Sequence, residues 1–338
     1  MILFSLSNNL ANLIVAEIFS AIAFGLKDVS DLSLLNESIP ESKQKSSIFA
    51  KITGKSLSTH FYLEAFSLMI SGILFSINGY LPIIVSLMIV LVSLVLSLKL
   101  IEPLEESKEK ITQDTLADIK HAFRFIFQSK RLRSLIFFSA IMSSFICILV
   151  NYQVSVLEEL NFPTVVIGLV FALIEIVGGI FSREHESFHM LFKNKSLSIL
   201  AFISVLVCFL IGVSTHFLKQ RGIVLFIICI ALIIKYIFAG IYQILIDKYY
   251  RNFTNEKIDT KVFSTKLFFE GIANVLLGFF ASYLLNRMST GDAFIILGIT
   301  FFILFALAII YMKPHLGLEP KKYPKGEIYT YRRSKKQA

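Results

Sequence analysis

The stretch AFIILGITFFILFALAIIYM, residues 293–312, decides the fold class, because none of its 20 side chains is charged. A helix of about 20 apolar residues spans the roughly 30 Å hydrocarbon core of a bilayer. Inside that core every backbone polar group needs a partner within the protein, which restricts spanning segments to helices and closed barrels. Long unbroken runs of this kind favour helices over the alternating segments of a barrel.

The rest of the 338-residue chain is similar in character to this stretch. The chain is 55% hydrophobic and 17% charged, contains no Trp, and has a mean hydropathy of +0.72. This composition excludes a disordered chain and is unusual for a soluble domain. We predict an all-α polytopic membrane protein with about nine transmembrane helices, preceded by a helix end at residues 1–6. The predicted spans are Leu10–Leu35, Leu57–Ile77, Leu81–Ile101, Leu132–Tyr152, Val165–Phe181, Leu197–Phe217, Ile223–Ile246, Val262–Leu285 and Ala293–Met312.

Basic residues alternate from one inter-span segment to the next. One set of segments, which includes residues 102–133 and 313–338, holds 27 Lys and Arg, whereas the opposite set holds 3. Under the positive-inside rule the basic set is cytoplasmic. The sequence therefore predicts a multi-pass protein of the plasma membrane, of bacterial type, with a cytoplasmic C-terminus. The net charge of +9 then reflects basic loops beside an anionic leaflet rather than a nucleic-acid partner.

The longest polar stretch separates two halves. We predict a partial N-terminal transmembrane bundle in residues 1–101, a cytoplasmic linker in 102–131, a six-helix C-terminal bundle in 132–313 and a basic cytoplasmic tail in 314–338. Within the linker, Ile111–Phe127 alternates apolar and charged residues at helical spacing. This pattern predicts an amphipathic helix, either on the membrane surface or solvated as a connector.

Three stretches carry a resemblance to a known family. Ala16–Leu35 (AEIFSAIAFGLKDVSDLSLL), Phe49–Lys55 (FAKITGK) and Phe162–Gly168 (FPTVVIG) are similar to the fourth helix, the loop before the fifth helix and the turn before the eighth helix of one group of transporters. The group is the bacterial drug-efflux branch of the major facilitator superfamily (MFS). The resemblance implies an MFS-like helical bundle. The basic loop containing Gly and Asp that joins helices two and three of the family is absent, so we expect the first three helices to be missing.

Several charges lie inside the predicted spans, where they are costly and usually face a cavity or a partner. In the first span, Glu17, Asp28 and Asp31 fall on one helix face at 100° per residue. We interpret this face as the lining of a substrate or ion pathway, in which these carboxylates take part in proton coupling. The alternative is a face packed against a missing helix, with Lys27 pairing Asp31.

The next candidates are a histidine and carboxylates on other spans. His60 and Glu64 stand four residues apart and can pair on one helix face. Glu64 either gains and loses a proton during transport or forms a static pair with His60. Glu175 and Lys235 are isolated charges within their spans, and we expect them to lie on the pathway, where the two charges can neutralise one another.

Another helix supplies the last pathway candidates, Glu270 and Asn274. They share one face with Lys266, which we expect to snorkel to the membrane edge. Asn274 either lines a cavity or bonds a neighbouring helix. A further group of polar and aromatic residues is available to contact an amphipathic substrate: Tyr152, Gln153, Tyr236, Tyr242 and Gln243.

These observations lead to a transporter as the predicted function. The chain is expected to export a small amphipathic molecule in exchange for protons by alternating access, with the lipid bilayer and that molecule as its partners. No phosphate-binding Gly-rich loop is present, and we predict neither an enzyme nor a cofactor or metal. The alternative is a non-transporting fragment or half of a split transporter, with the missing N-terminal helices on a separate chain. A remote alternative is a membrane metalloprotease, since residues 185–189 (His185 to His189) spell HExxH.

Overall fold

Helices make up nearly all of the structure, a computed structural model that describes residues 9–40, 45–99, 127, 129–181, 185–192, 195–218, 220–253 and 259–315. Of these residues 92% are helical and none lies in a strand, so the predicted all-α fold is confirmed for them. The helices are α1 (Leu10–Ser38), α2 (Lys45–Ile77), α3 (Leu81–Ser97), α4 (Lys130–Glu159), α5 (Thr164–Phe181), α6 (His185–Phe192), α7 (Ser196–Phe217), α8 (Arg221–Phe253), α9 (Asp259–Arg287) and α10 (Thr290–Met312).

Seven of these helices are long and apolar enough to cross a membrane, namely α2, α4, α5, α7, α8, α9 and α10. The chain is therefore a membrane-embedded helical protein. The predicted count of nine spans is not confirmed. Helix α3 has only 17 residues, and α1 combines its apolar residues with several charged ones. The predicted amphipathic linker helix lies outside the described residues apart from Phe127, as does the basic tail beyond residue 315.

Serine side chains cap the first turns of two helices. The Ser129 hydroxyl accepts a hydrogen bond from the Leu132 amide at the start of α4, and Ser289 accepts one from the Asp292 amide at the start of α10. These bonds satisfy amides that have no partner within their own helix. Between α4 and α5 the chain turns through Asn161, whose φ of 57° is left-handed. Asparagine tolerates this conformation better than most residues.

The core lies among α4, α7, α8 and α10, where phenylalanine side chains are fully buried. Phe145 of α4 meets Phe301 of α10 edge-on, with ring centroids 5.3 Å apart. Helix α2 joins this group by packing along α5 and touching α8. In contrast, α3 buries none of its residues, and α1 packs mainly on α9. Helix α2 is thus the main contact between the predicted N-terminal and C-terminal halves.

Candidate functional site

The contact between α2 and α5 is close because glycines face aromatic side chains. A Cβ atom on Gly179 would lie 2.9 Å from Cε1 of Tyr62, and one on Gly168 would lie 3.0 Å from the carbonyl oxygen of Leu68. The hydroxyl of Ser58 also donates a hydrogen bond of 2.8 Å to the carbonyl oxygen of Gly179. Small residues and side-chain hydrogen bonds of this kind hold membrane helices together. Because α5 is one continuous helix, its glycines permit close approach rather than a break.

Glu175 of α5 lies beside this contact and is 1% exposed. Its Oε2 atom is buried and has no hydrogen-bond partner in the described part of the chain. Buried polar atoms nearly always have a partner, and an unsatisfied one is costly. The carboxyl group also interacts with the Tyr236 hydroxyl and with the charge of Lys235, so the unsatisfied Oε2 atom is the candidate position for a proton or a ligand.

Lys235 of α8 is 4% exposed and lies close enough to Glu175 and Glu64 to interact with both charges. Its Nζ atom is 3.6 Å from the ring centroid of Tyr236. Tyr236 in turn accepts a hydrogen bond of 3.0 Å from Nε2 of Gln153 on α4. The structure thus brings Glu175 and Lys235 together, as the sequence suggested, and places two of the suggested substrate contacts beside them.

His60 and Glu64 of α2 form the outer part of the same group. His60 Nε2 lies 3.3 Å from Glu64 Oε2, one helical turn apart, and both side chains are at least partly exposed. Both also lie within electrostatic reach of Glu175. We refer to His60, Glu64, Glu175 and Lys235 as the interhelix cluster, because three helices contribute to it.

The interhelix cluster combines two carboxylates, one ammonium group and one imidazole, graded from exposed to buried. Glu64 is partly exposed on α2, and Glu175 is buried on α5. Groups of this kind inside a membrane typically mark ion pathways and proton relays. The arrangement can accept a proton from the exposed side and hold it beside a buried lysine.

A second buried group of charges lies on α8 and α9. Lys266 Nζ is 3.0 Å from Asp247 Oδ1 and 3.9 Å from Glu270 Oε1, and all three side chains are nearly inaccessible. Tyr250 borders the group and hydrogen-bonds Ser139 of α4 at 3.0 Å. Burial raises the pKa of Tyr250 well above its ordinary value, so its hydroxyl keeps its proton.

This second group corrects one expectation and adds a residue. Lys266 does not snorkel to the membrane edge, since it is 7% exposed and bonded to Asp247. An internal carboxylate satisfies its ammonium group instead of water. Asp247 was not among the predicted pathway residues, because it stands at the end of an apolar run and resembles an ordinary loop residue. The sequence signal was an acid directly after one apolar run, 223–246, and a single lysine inside the next predicted span, 262–285.

Asn274 of α9 bonds a neighbouring helix, one of its two predicted alternatives. Its Oδ1 atom accepts a hydrogen bond of 2.9 Å from Ser144 of α4, and its Nδ2 atom lies 3.5 Å from the Ser143 hydroxyl. Interhelical hydrogen bonds from asparagine are common in membrane bundles. The side chain therefore ties α9 to α4.

The predicted polar face of α1 is described at Glu17 and Asp31, and Lys27 of the same helix lies within electrostatic reach of His60. Glu17 and Asp31 are both exposed, and the side chain of Asp28 lies outside the described ones. Ala16 is the buried residue of this turn, at 2% exposure. The exposed face leaves both interpretations of these carboxylates open.

The HExxH pattern receives no support as a metal centre. Among the described residues, no group of three or more His, Cys, Asp or Glu side chains is arranged to hold a metal ion. The side chains of His185 and Glu186 lie outside the described ones. The His189 ring lies against Tyr249, with its Nδ1 atom 3.4 Å from the Ser196 hydroxyl.

Comparisons with known proteins do not assign a family. The chain matches no model of a known protein family and has no significant match among curated proteins. The fold and the buried ionisable groups define it as a polytopic helical membrane protein.

Proposed function

We propose that this protein is a secondary transporter of MFS type that moves a small amphipathic molecule in exchange for protons. The halves that meet along α2 and α5 would rock about the interhelix cluster and expose it to one face of the membrane at a time. Protons and the bilayer are then partners in the cycle, and the C-terminus lies in the cytoplasm of a bacterial cell.

The observation that carries this proposal is the unpaired, buried carboxylate oxygen of Glu175 at the contact between the halves. A carboxylate in a membrane interior is expensive to maintain, by at least roughly 2.5–3.5 kcal/mol on insertion scales. Alternate binding of a proton and of a substrate at one acid gives a physical basis for exchange, because each ligand removes the cost only while it is bound.

The neighbouring residues have distinct roles in this proposal. Lys235 sets the charge around Glu175, and its interaction with Glu64 extends that influence towards the exposed end of the cluster. His60 and Glu64 pass protons between solvent and Glu175. Tyr236 and Phe61, whose rings meet edge-on at a centroid distance of 6.3 Å, provide the aromatic wall for an amphipathic molecule.

Glu175→Gln tests the proposal most directly in proteoliposomes. The substitution keeps the size and polarity of the side chain but removes the titrating proton. We expect uptake of an amphipathic dye such as ethidium, driven by a pH gradient, to fall by at least about tenfold, as is common when an essential proton-transfer group is removed. Counterflow, in which dye exchanges for dye without net proton movement, should remain.

Glu158→Gln is the matched control, since Glu158 is an exposed carboxylate at the far end of α4. This control should transport like the unmodified protein. If Glu175→Gln retained pH-driven uptake equal to that of Glu158→Gln, the proposed role of Glu175 would be wrong. If the unmodified protein moved none of a broad dye panel, even by counterflow, the transporter proposal itself would fail.

A second candidate is a protein that transports only together with further helices from a separate chain. The observation in its favour is the loose packing of the predicted N-terminal half, in which α3 buries none of its residues. Transport by the purified chain alone would exclude this candidate. Transport that appears only after a second membrane chain co-purifies would establish it.

A further inference from the structure

Lys266 stands between two carboxylates that belong to different helices. Its Nζ atom is 3.0 Å from Asp247 Oδ1 on α8 and 3.9 Å from Glu270 Oε1 on its own helix, α9. The side chains of all three residues are about one-tenth exposed. The difference between the two distances is small compared with the reach of the flexible lysine side chain.

The bond to Asp247 is the important one for the packing of helices. Helix α9 packs mainly on α4, whereas α8 packs mainly on α7 and α5, and direct contact between α8 and α9 is sparse. The Lys266–Asp247 bond is a direct link across this sparse contact, near the ends of α8 and α9 that the chain connects. The Lys266–Glu270 contact, in contrast, stays within α9 and links no other helix.

Aromatic rings and a tyrosine hydroxyl lie close to the ammonium group of Lys266. The ammonium group lies 5.3 Å from the centroid of Tyr250 and 5.5 Å from that of Phe263. Tyr250 in turn bonds Ser139 of α4. A lysine that moved between the two carboxylates would therefore remain over the same rings and keep a negative partner in either position.

We propose that Lys266 is an exchangeable latch, which closes α9 against α8 when bonded to Asp247 and releases it when bonded to Glu270. Because each position pairs the ammonium group with a carboxylate, opening this end of the bundle does not leave a buried cation alone. The latch is independent of the proposed transport activity and concerns the opening of the bundle at the end where α8 and α9 are connected.

A double-mutant cycle tests the exchange. The cycle compares Asp247→Asn, Glu270→Gln and the double variant by thermal unfolding in detergent, read with a thiol-reactive dye. Cys147, Cys208 and Cys229 are free and at least partly buried, which makes them natural reporters. Glu270→Gln alone should lower the melting temperature only slightly. In the Asp247→Asn background the same substitution should lower it clearly more, because Glu270 is then the one of these two carboxylates that still pairs with Lys266. Asp247→Glu keeps the carboxylate. Adding Glu270→Gln to this variant should therefore lower the melting temperature as little as it does in the unmodified protein.

A second measurement covers the case in which Asp247→Asn does not fold. In the Glu270→Gln variant the lysine loses its alternative partner, so amide hydrogen exchange at the start of α9 should become slower than in the unmodified protein. Additive losses in the cycle would overturn the exchange. Unchanged or faster amide exchange in Glu270→Gln would overturn the release step.

Discussion

At the residue scale, two hydrogen-bonded pairs of polar side chains join different helices. Gln153 of α4 bonds Tyr236 of α8, and Ser144 of α4 bonds Asn274 of α9. In a membrane these bonds are worth less than intuition suggests, on average about 0.6 kcal/mol in double-mutant cycles. Their loss costs more when the remaining partner stays buried and unsatisfied.

Tyr236→Phe is predicted to destabilise the protein for this reason. The substitution removes the hydroxyl that accepts from Gln153, a side chain that is 8% exposed. We expect a loss of about 1–3 kcal/mol, seen as a lower melting temperature in the thiol-dye assay. Tyr80→Phe is the control, since Tyr80 is 65% exposed and should lose little. Equal melting temperatures for the two variants would mean that the Gln153–Tyr236 bond does not stabilise the bundle.

The sequence identified individual charges better than their partners. Glu175 and Lys235 stood out as isolated charges in apolar spans, and the structure brings them within electrostatic reach of each other. Asp247 escaped notice because its position in the sequence is that of a loop residue, whereas the folded bundle buries it and pairs it with Lys266 of α9. Contacts between distant helices depend on how the faces of several helices meet, which a single sequence does not specify.

At the element scale, hydropathy predicts where a helix crosses the membrane but not where it ends. Helix α2 begins at Lys45 rather than at Leu57, and α8 continues to Phe253 rather than stopping at Ile246. The additional turns include charged and polar residues, and they continue the helix because its backbone hydrogen bonds do not require apolar side chains. Hydropathy detects only the apolar portion of each helix, so the predicted spans are shorter than the helices that contain them at such ends.

Gly179→Leu is predicted to separate α2 from α5. Even a Cβ atom at this position would lie 2.9 Å from Tyr62 and 3.2 Å from Phe61, so a leucine side chain has no room. We expect a melting temperature below that of Gly271→Leu, in which the new side chain meets nothing within 4 Å. Both substitutions remove a helical glycine, so the difference isolates the clash. Similar melting temperatures would contradict close packing of α2 on α5.

At the scale of the whole molecule, the uneven distribution of basic residues predicts an orientation in the membrane with the C-terminus inside. Gly79 lies in the turn between α2 and α3, and Lys313 lies just after α10. The two test variants are Gly79→Cys and Lys313→Cys. In a background with the three native cysteines replaced by alanine, an impermeant thiol reagent should label position 79 in intact cells. Position 313 should be labelled only after permeabilisation. The reverse pattern would place the basic end outside.

In the proposed transport cycle, Glu175 carries a proton that the substrate displaces. The most direct measurement is the pH of a weakly buffered detergent solution of the purified protein when a transported dye is added. Unmodified protein and Glu158→Gln should both release protons on dye binding, whereas Glu175→Gln should bind dye and release none. Proton release from Glu175→Gln equal to that of the unmodified protein would contradict the account.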